Sequence, residues 1–172
     1  MTNSTSQQQN ILIRNASKND AAAIVRVHYD AVHFTAAKDY DQTILEDWSA
    51  LADARIDRLE AQILNNPENT NMLVAELNGE IVGFGELATS TCELRAVYVS
   101  PRAARNGVGG ALLNELEATA RKKGVLNLWL DSSITAEPFY LSHGYLSDGR
   151  GEHHLQSGRK MICVKMHKNL AN

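Results

Sequence analysis

Apolar residues at helical spacing dominate the first part of the chain. One set lies three or four positions apart, at Ile24, Val27, Ala31 and Phe34. This spacing predicts an amphipathic helix. A second set at the same spacing predicts another helix over residues 45–63, which ends before Pro67 because proline does not continue a helix. The apolar residues 11–13 predict a short strand before the first helix, and the polar residues 35–41 predict a loop between the two helices.

The pattern changes to strand-like apolar runs in the middle of the chain. Residues 72–77 and 81–87 flank the pair Asn78-Gly79. Two apolar runs separated by Asn-Gly predict a β-hairpin with a type I′ turn. Residues 94–99 predict a further strand.

The last part of the chain alternates helical and extended segments. Leucines and alanines at helical spacing predict a helix that begins near Gly107 and ends at Gly124. Strands are predicted over residues 125–130 and 160–166, with a short helix over residues 136–142 between them. This element order predicts a single mixed α/β domain with a central hairpin, which differs from a doubly wound nucleotide-binding fold.

Composition and charge narrow the class of protein. The 172 residues suffice for one domain, which we expect over residues 11–168 after a disordered polar tail of residues 1–10. Apolar residues make up 44% and charged residues 22%, so a disordered or collagen-like chain is excluded. A net charge of −3 gives no overall attraction to nucleic acid or to an acidic membrane, and we expect neither partner.

The cysteines and the hydropathy pattern bear on metals and location. Cys92 and Cys163 are the only cysteines, and neither they nor the histidines have a recognised metal-ligand spacing. We therefore expect no metal. No apolar run approaches the roughly 20 residues that a membrane-spanning helix needs, and the first ten residues do not resemble a secretory signal. We expect a soluble, cytoplasmic protein, and a homodimer is compatible with the sequence.

Glycines at the start of the helix after residues 94–99 are the main chemical signal. Gly107, Gly109 and Gly110 would let an anion approach the unpaired N–H groups of a helix N-terminus. Arg102 and Arg105 lie just before them. A P-loop is excluded because no Gly-Lys pair follows, and a dinucleotide-binding loop is excluded because the position that needs a small residue is leucine.

Three segments together resemble the GNAT superfamily of acetyl-CoA-dependent N-acetyltransferases. They are residues 93–101, the loop that ends in Gly107-Val108-Gly109, and residues 136–145, Ala-Glu-Pro-Phe-Tyr-Leu-Ser-His-Gly-Tyr. The resemblance covers nearly the whole chain. It implies a mixed central sheet with a splayed cofactor-binding strand and flanking helices. The chain departs from the family pattern at Ala104, where the family has Gln or Arg, and at Ser133, where it often has Asn.

The same resemblance implies that acetyl-CoA lies against residues 97–99 and that its pyrophosphate binds at residues 105–110. A backbone N–H at the end of this strand would then stabilise the developing oxyanion. The residues implied in cofactor binding are Val97, Tyr98, Val99, Arg102, Arg105, Asn106, Gly107, Val108, Gly109, Gly110 and Ser133.

Acid and base candidates follow from the same alignment of motifs. Tyr140 matches the family tyrosine that protonates the departing thiolate, and with an ordinary pKa near 10 a tyrosine keeps its proton at neutral pH. Glu93 matches the glutamate base of the histone-acetylating branch. Arg95 lies on the same strand face and would make Glu93 a poorer base. Glu86 on the preceding strand, a chain of waters, or the lack of any dedicated base are the alternatives.

The acceptor is expected to be the amine of a small molecule, attacked directly in a ternary complex. Its site could be walled by His33, Phe34, Tyr40 and Trp48, or by His153 and His154. Two other functions are open, namely a protein lysine or N-terminal acetyltransferase and a CoA-binding regulatory module without catalysis. An open trench between the loops at residues 35–41 and 149–158 would suit a peptide, whereas a closed pocket would suit a metabolite.

Overall fold

The computed structural model describes residues 10–171. Its strands are β1 (Ile11–Asn15), β2 (Asn71–Leu77), β3 (Glu80–Ala88), β4 (Glu93–Val99), β5 (Asn127–Ser132), β6 (Leu146–His154) and β7 (Lys160–Asn169). Its α-helices are α1 (Ala21–Asp30), α2 (Gln42–Trp48), α3 (Asp53–Asn65), α4 (Val108–Lys122) and α5 (Glu137–Ser142). The predicted tail, residues 1–10, lies outside the described part except for Asn10, which is exposed.

The strands form one mixed sheet in the order β1-β2-β3-β4-β5-β7-β6. Neighbours are antiparallel except for β4 and β5, which run parallel and pair only at Glu93 and Trp129. Beyond that pair the two strands diverge. The mixed α/β single-domain fold predicted from the sequence is therefore confirmed, including its splayed strand.

A β-bulge sets the side-chain directions of β4. Its pairing with β3 shifts between Glu86 and Leu87, which leaves Arg95 as an extra residue in the strand. After the bulge, Val97 packs with the core cluster against α4, while Tyr98 packs with the clusters on the opposite face. The strand therefore presents alternate residues to the two helical layers.

Helix α4 packs closely on β3 because β3 carries two glycines. A Cβ at Gly85 would lie 2.6 Å from Leu116 Cδ1 and 3.0 Å from the Ala96 carbonyl oxygen, and Gly83 is similarly crowded. Leu116 is fully buried. The Gly83-Phe84-Gly85 segment thus serves helix–sheet packing.

The predicted hairpin is present with its predicted turn. Asn78 and Gly79 both have positive φ, 54° and 82°, as a type I′ turn requires. The predicted 45–63 helix is wrong, because the segment between residues 48 and 53 breaks it into α2 and α3. Ser49 in this break is extended and fully buried, and its hydroxyl bonds with the His28 imidazole at 2.8 Å. This tertiary contact outweighs the local helical pattern.

Two other predictions are corrected at the edges of the fold. Phe34 does not share the buried face of α1, since the helix widens into a π-turn over Ala31–Thr35 and leaves Phe34 71% exposed. The segment 149–158, predicted as a loop, begins inside strand β6. Because β6 is an edge strand with mostly exposed residues, it lacks the apolar alternation that identifies a strand in the sequence.

Candidate active site

The divergence of β4 and β5 opens a cleft of about 520 Å3, which we call the splay cleft. Its walls come from β4, the loop before α4, α5 and the π-turn after α1. The predicted cofactor residues that line it are Val97, Tyr98, Val99, Arg105, Gly107, Val108, Gly109, Gly110 and Ser133. Arg102 and Asn106 are exposed and do not line it. Thr135, Phe139 and His143 also line the cleft, although the sequence analysis gave them no binding role.

The start of α4 forms a backbone cradle beside the splay cleft. Arg105 and Gly107 both have positive φ, 66° and 77°, and Gly107 is the N-cap without a side-chain cap. The first N–H groups of the helix are therefore not capped by that residue's side chain. A Cβ at Gly109 would lie 3.2 Å from Phe139 Cε2, and one at Gly110 would lie 3.2 Å from His143 Nε2. The absence of a side chain at these two positions therefore lets Phe139 and His143 of the α5 segment pack closely against the start of α4.

Tyr140 lies in a smaller cavity of about 70 Å3 at the base of the splay, here called the tyrosine cavity. Val97, Tyr98 and Ser133 line both the tyrosine cavity and the splay cleft, so the two adjoin. Tyr140 is 6% exposed. Burial raises the pKa of Tyr140 well above its usual value. The phenol therefore holds its proton at neutral pH and is free to donate it.

The two candidate bases lie in different surroundings. Glu93 accepts a hydrogen bond from Arg95 Nε at 3.1 Å and lines neither the splay cleft nor the tyrosine cavity. Glu86 lies on the α1 and α3 side of the sheet, 3.8 Å from Arg95 Nη1, and burial raises the pKa of its carboxyl. The role of Glu93 as base stays a prediction. The raised pKa means that the Glu86 carboxylate takes up a proton more readily than an ordinary glutamate does.

Two further cavities lie on the α1 and α3 side of β4. The inner cavity, about 240 Å3, is lined by β3, β4, α1 and α3, and includes Glu86 and Tyr98. The outer cavity, about 410 Å3, lies between α2, α3 and the end of β6, and includes Trp48. Both are lined by His28, Arg55, Arg58 and Gln156. Tyr98 separates the inner cavity from the splay cleft, because it lines both.

The predicted acceptor-site residues divide between these cavities and other places. Trp48, His153 and His154 line the outer cavity. His33, Phe34 and Tyr40 line none of the four cavities; His33 instead contacts the Ser49 carbonyl oxygen at 2.6 Å. The sequence analysis missed His28, Arg55 and Arg58. The sequence feature that could have pointed to the two arginines is their spacing of three positions on one helix.

His28 is a buried imidazole that organises the inner cavity. Its ring lies 4.4 Å from the Tyr98 ring in an edge-to-face arrangement. Burial, with the nearby Arg55 cation, lowers the pKa of His28 to about 3. The neutral ring accepts at Nδ1 from Arg55 Nη2 and from the Ser49 hydroxyl, which assigns its own proton to Nε2.

Side-chain contacts join α2 and α3 to the β6–β7 hairpin across the groove over these cavities. Asp47 accepts from the Ser157 hydroxyl and pairs with Arg159 at 3.4 Å. Arg58 donates to Gln156 Oε1 at 2.8 Å. The hairpin therefore contacts the helices across the groove at these residues.

A comparison with protein families decides the membership of this chain. The model of the acetyltransferase (GNAT) domain matches residues 36–170. The chain belongs to the GNAT family of acetyltransferases. YafP from Escherichia coli strain K12, an uncharacterised N-acetyltransferase, is 29% identical over 136 residues, which are 79% of this chain and 81% of YafP.

Solved structures agree with this GNAT membership. A GCN5-related N-acetyltransferase from Rhodopseudomonas palustris has a TM-score of 0.79 at 27% identity, over 92% of this chain and 95% of the other. The structure of yncA from Salmonella typhimurium with its cofactor acetyl-CoA has a TM-score of 0.68 at 25% identity, over 95% of each chain. Across residues 10–171, no group of three metal-binding side chains occurs, and no helix is long and apolar enough to cross a membrane.

Proposed function

We propose that this GNAT protein transfers an acetyl group from acetyl-CoA to the amine of a small molecule. The observation that carries the proposal is the continuity of the splay cleft with the tyrosine cavity. A long ligand in the cleft would have its reactive end beside a buried, protonated phenol. The family neighbour that holds acetyl-CoA supports the choice of donor.

The residues of the cleft fit CoA by their chemistry. The exposed main chain of β4 beyond residue 93 can pair with the amides of an extended ligand, as an added strand does. The cradle at Gly107, Gly109 and Gly110 would accept the pyrophosphate at a helix N-terminus, with the Arg105 cation beside it. Acetyl-CoA supplies an acetyl group already activated as a thioester.

Proton transfer would use two side chains on opposite sides of β4. The amine must lose its proton before it attacks the thioester. The Glu86 carboxylate lines the inner cavity, from which the amine would approach. Tyr140 would give its proton to the departing thiolate. The amine would attack directly, with both substrates bound at once, where the acceptor cavity and the donor cleft adjoin at Tyr98, which lines both.

The side-chain contacts that cross the groove favour a small acceptor over a peptide. Asp47 and Arg58 on α2 and α3 contact the β6–β7 hairpin at residues 156–159, where a peptide would need an open path. This favours a metabolite acceptor. A regulatory module without catalysis would have no need of the buried Tyr140 hydroxyl.

Release of free thiol from acetyl-CoA, measured with a panel of small amines, tests the proposal. We expect turnover with at least one amine and a mass increase of one acetyl group on that amine. A peptide panel with lysine or free N-termini serves as the comparison. Thiol release with peptides alone would contradict the small-molecule assignment, and release with neither panel would leave only CoA binding.

A further inference from the structure

Arg55 is a partly buried cation without a carboxylate partner. It lies in the first turn of α3, where the helix dipole is unfavourable for a positive charge. Within residues 10–171 it forms no salt bridge, whereas Arg14, Arg95, Arg121, Arg150 and Arg159 each do. Burial lowers the pKa of its guanidinium. A charge placed at such cost points to an anion that the protein itself does not supply.

The free donors of Arg55 form one edge of the guanidinium. Nη1 donates to the Ser49 hydroxyl at 2.9 Å and to the Ala50 carbonyl at 3.1 Å, and Nη2 donates to His28 Nδ1. These bonds fix the plane of the group. The Nε–H and the second Nη2–H have no acceptor in the described part of the chain. Adjacent N–H groups of this kind bind a carboxylate through two parallel hydrogen bonds.

Arg58 adds a second cation on the same face of α3. Residues three apart on a helix are neighbours, and Arg55 and Arg58 line both the inner and the outer cavity. Arg58 bonds to Gln156 but to no carboxylate among residues 10–171. Nearby acids are otherwise engaged, since Asp47 pairs with Arg159 and Glu86 lies near Arg95. The two arginines therefore leave a net positive site at the junction of the two cavities.

The site is close to the reaction centre and has an apolar wall. One imidazole ring, that of His28, separates Arg55 from Tyr98, which lines the splay cleft. One part of the inner cavity is lined by the apolar side chains of Ile24, Val25, Leu59, Met72 and Phe84, and the rest by polar side chains that include Gln62, Glu86 and Arg95. An acceptor that fits has an amine, an anionic group close to it and an apolar remainder.

We infer that the acceptor is an amino carboxylate with an apolar side chain, whose carboxylate is bound by Arg55 and Arg58. The inference rests on the proposed function and names the substrate class of that site. The amine would point past Tyr98 toward the donor, while the side chain fills the inner cavity. A polycation such as spermidine would meet two uncompensated arginines there.

Matched acceptors test the inference directly. Thiol release is measured for L-leucine, L-leucinamide and 3-methylbutylamine, for L-phenylalanine, L-phenylalaninamide and 2-phenylethylamine, and for spermidine. We expect kcat/KM for each free amino acid to exceed that of its amide and its decarboxylated amine by at least about 100-fold, since arginines left unpaired penalise an analogue strongly. The amide amine is less basic, so more of it is neutral, and basicity alone would favour the amide. Equal or better use of the uncharged partners or of spermidine would overturn the inference.

Variants locate the carboxylate site. Arg58→Gln is expected to raise KM for L-leucine about tenfold or more, to raise KM for L-leucinamide much less, and to leave KM for acetyl-CoA unchanged. Arg55→Lys keeps the charge but loses the paired donors, and it should also raise KM for L-leucine. Arg26→Gln is the matched control, because Arg26 is an exposed arginine on α1 that lines neither cavity. A normal KM for L-leucine in Arg58→Gln and Arg55→Lys would overturn the assignment.

Calorimetry separates this inference from the proposed function. L-Leucine and L-phenylalanine are titrated into the protein with CoA bound. If no amine is acetylated but these amino acids bind, and Arg58→Gln weakens the binding, the transfer activity fails while the carboxylate site stands. If acetylation occurs with other amines and neither amino acid binds or reacts, the carboxylate site fails while the proposed function stands.

Discussion

Tyr140 and Tyr145 pack edge to face with ring centroids 5.4 Å apart, yet only Tyr140 lines the tyrosine cavity. The Tyr145 hydroxyl is buried and unpaired among residues 10–171, and burial raises the pKa of this phenol as well. Two neighbouring phenols with raised pKa values thus differ in access to the tyrosine cavity, which adjoins the splay cleft. Access therefore distinguishes the proposed acid from its neighbour.

Tyr140→Phe should lower kcat by about 10² to 10⁴, the usual contribution of a general acid, with CoA affinity nearly unchanged. Steady-state kinetics and calorimetry with CoA measure the two effects. Tyr145→Phe is the control, which removes an unpaired buried hydroxyl and should keep both activity and stability. Retention of more than about a third of wild-type kcat in Tyr140→Phe would reduce Tyr140 to a packing residue.

Arg105 and Arg102 offer a matched pair at the cradle, since only Arg105 lines the splay cleft. Arg105→Asn should weaken CoA binding about tenfold, equivalent to about 1.4 kcal/mol, and leave pantetheine binding unchanged. Asparagine is chosen because it tolerates the positive φ of this position. Arg102→Asn should have little effect. Calorimetry with CoA, dephospho-CoA and pantetheine checks this, and equal losses for all three ligands would assign Arg105 a structural role.

Glu86→Gln should lower kcat/KM by about 10²-fold at pH 7 and by less at pH 9, where the amine loses its own proton. Burial raises the pKa of Glu86, so wild-type activity should fall as the pH drops through that pKa and the base becomes protonated. Glu93→Gln is the comparison. Since Glu93 is paired with Arg95 and lines no cavity of the site, its variant should keep most activity. The opposite ranking in pH–rate profiles would restore Glu93 as the base.

His28 should make the fold less stable below neutral pH. Its pKa is lowered from 6.5 to about 3 by burial and by the Arg55 and His33 charges, so the unfolded chain binds a proton that the folded chain does not. Stability is therefore lost as the pH falls below 6.5, by up to about 1.4 kcal/mol per pH unit. Urea unfolding of wild type and His28→Gln at pH 8.0, 6.5, 5.5 and 4.5 measures the difference. Parallel pH dependences would contradict the prediction.

Gly85→Ala should destabilise the protein by about 1 to 3 kcal/mol through overpacking. The new Cβ would lie 2.6 Å from a carbon of Leu116, which is fully buried. Gly151→Ala in strand β6 is the matched control, because its Cβ would also come within 2.6 Å of a carbon, that of Lys165, whose flexible chain can move toward solvent. Urea unfolding that shows the same loss in both variants would argue against the close approach of α4 and β3.

Local sequence signals predicted the parts of the fold that local chemistry determines. Asn78-Gly79 gave the hairpin because its turn depends on those two residues alone. The break between α2 and α3 depends on Ser49 contacting His28, which lies 21 positions away, and no spacing rule contains that contact. In the site, glycines at a helix start indicated the cradle. The sequence could not indicate Arg55 and Arg58, because an arginine is known to lack a carboxylate partner only once the positions of the surrounding carboxylates are known.

The single pairing of Glu93 with Trp129 has a consequence for the lifetime of the protein. Four strands lie on one side of the splay and three on the other, and their backbones share one point of contact. An extended donor molecule bound in this gap would stabilise the fold, because it would add hydrogen bonds between the two halves of the sheet. The free energy of unfolding would rise by about 1.4 kcal/mol for each tenfold increase in donor concentration above its dissociation constant. Cells short of acetyl donor would then hold a less stable, more rapidly degraded enzyme.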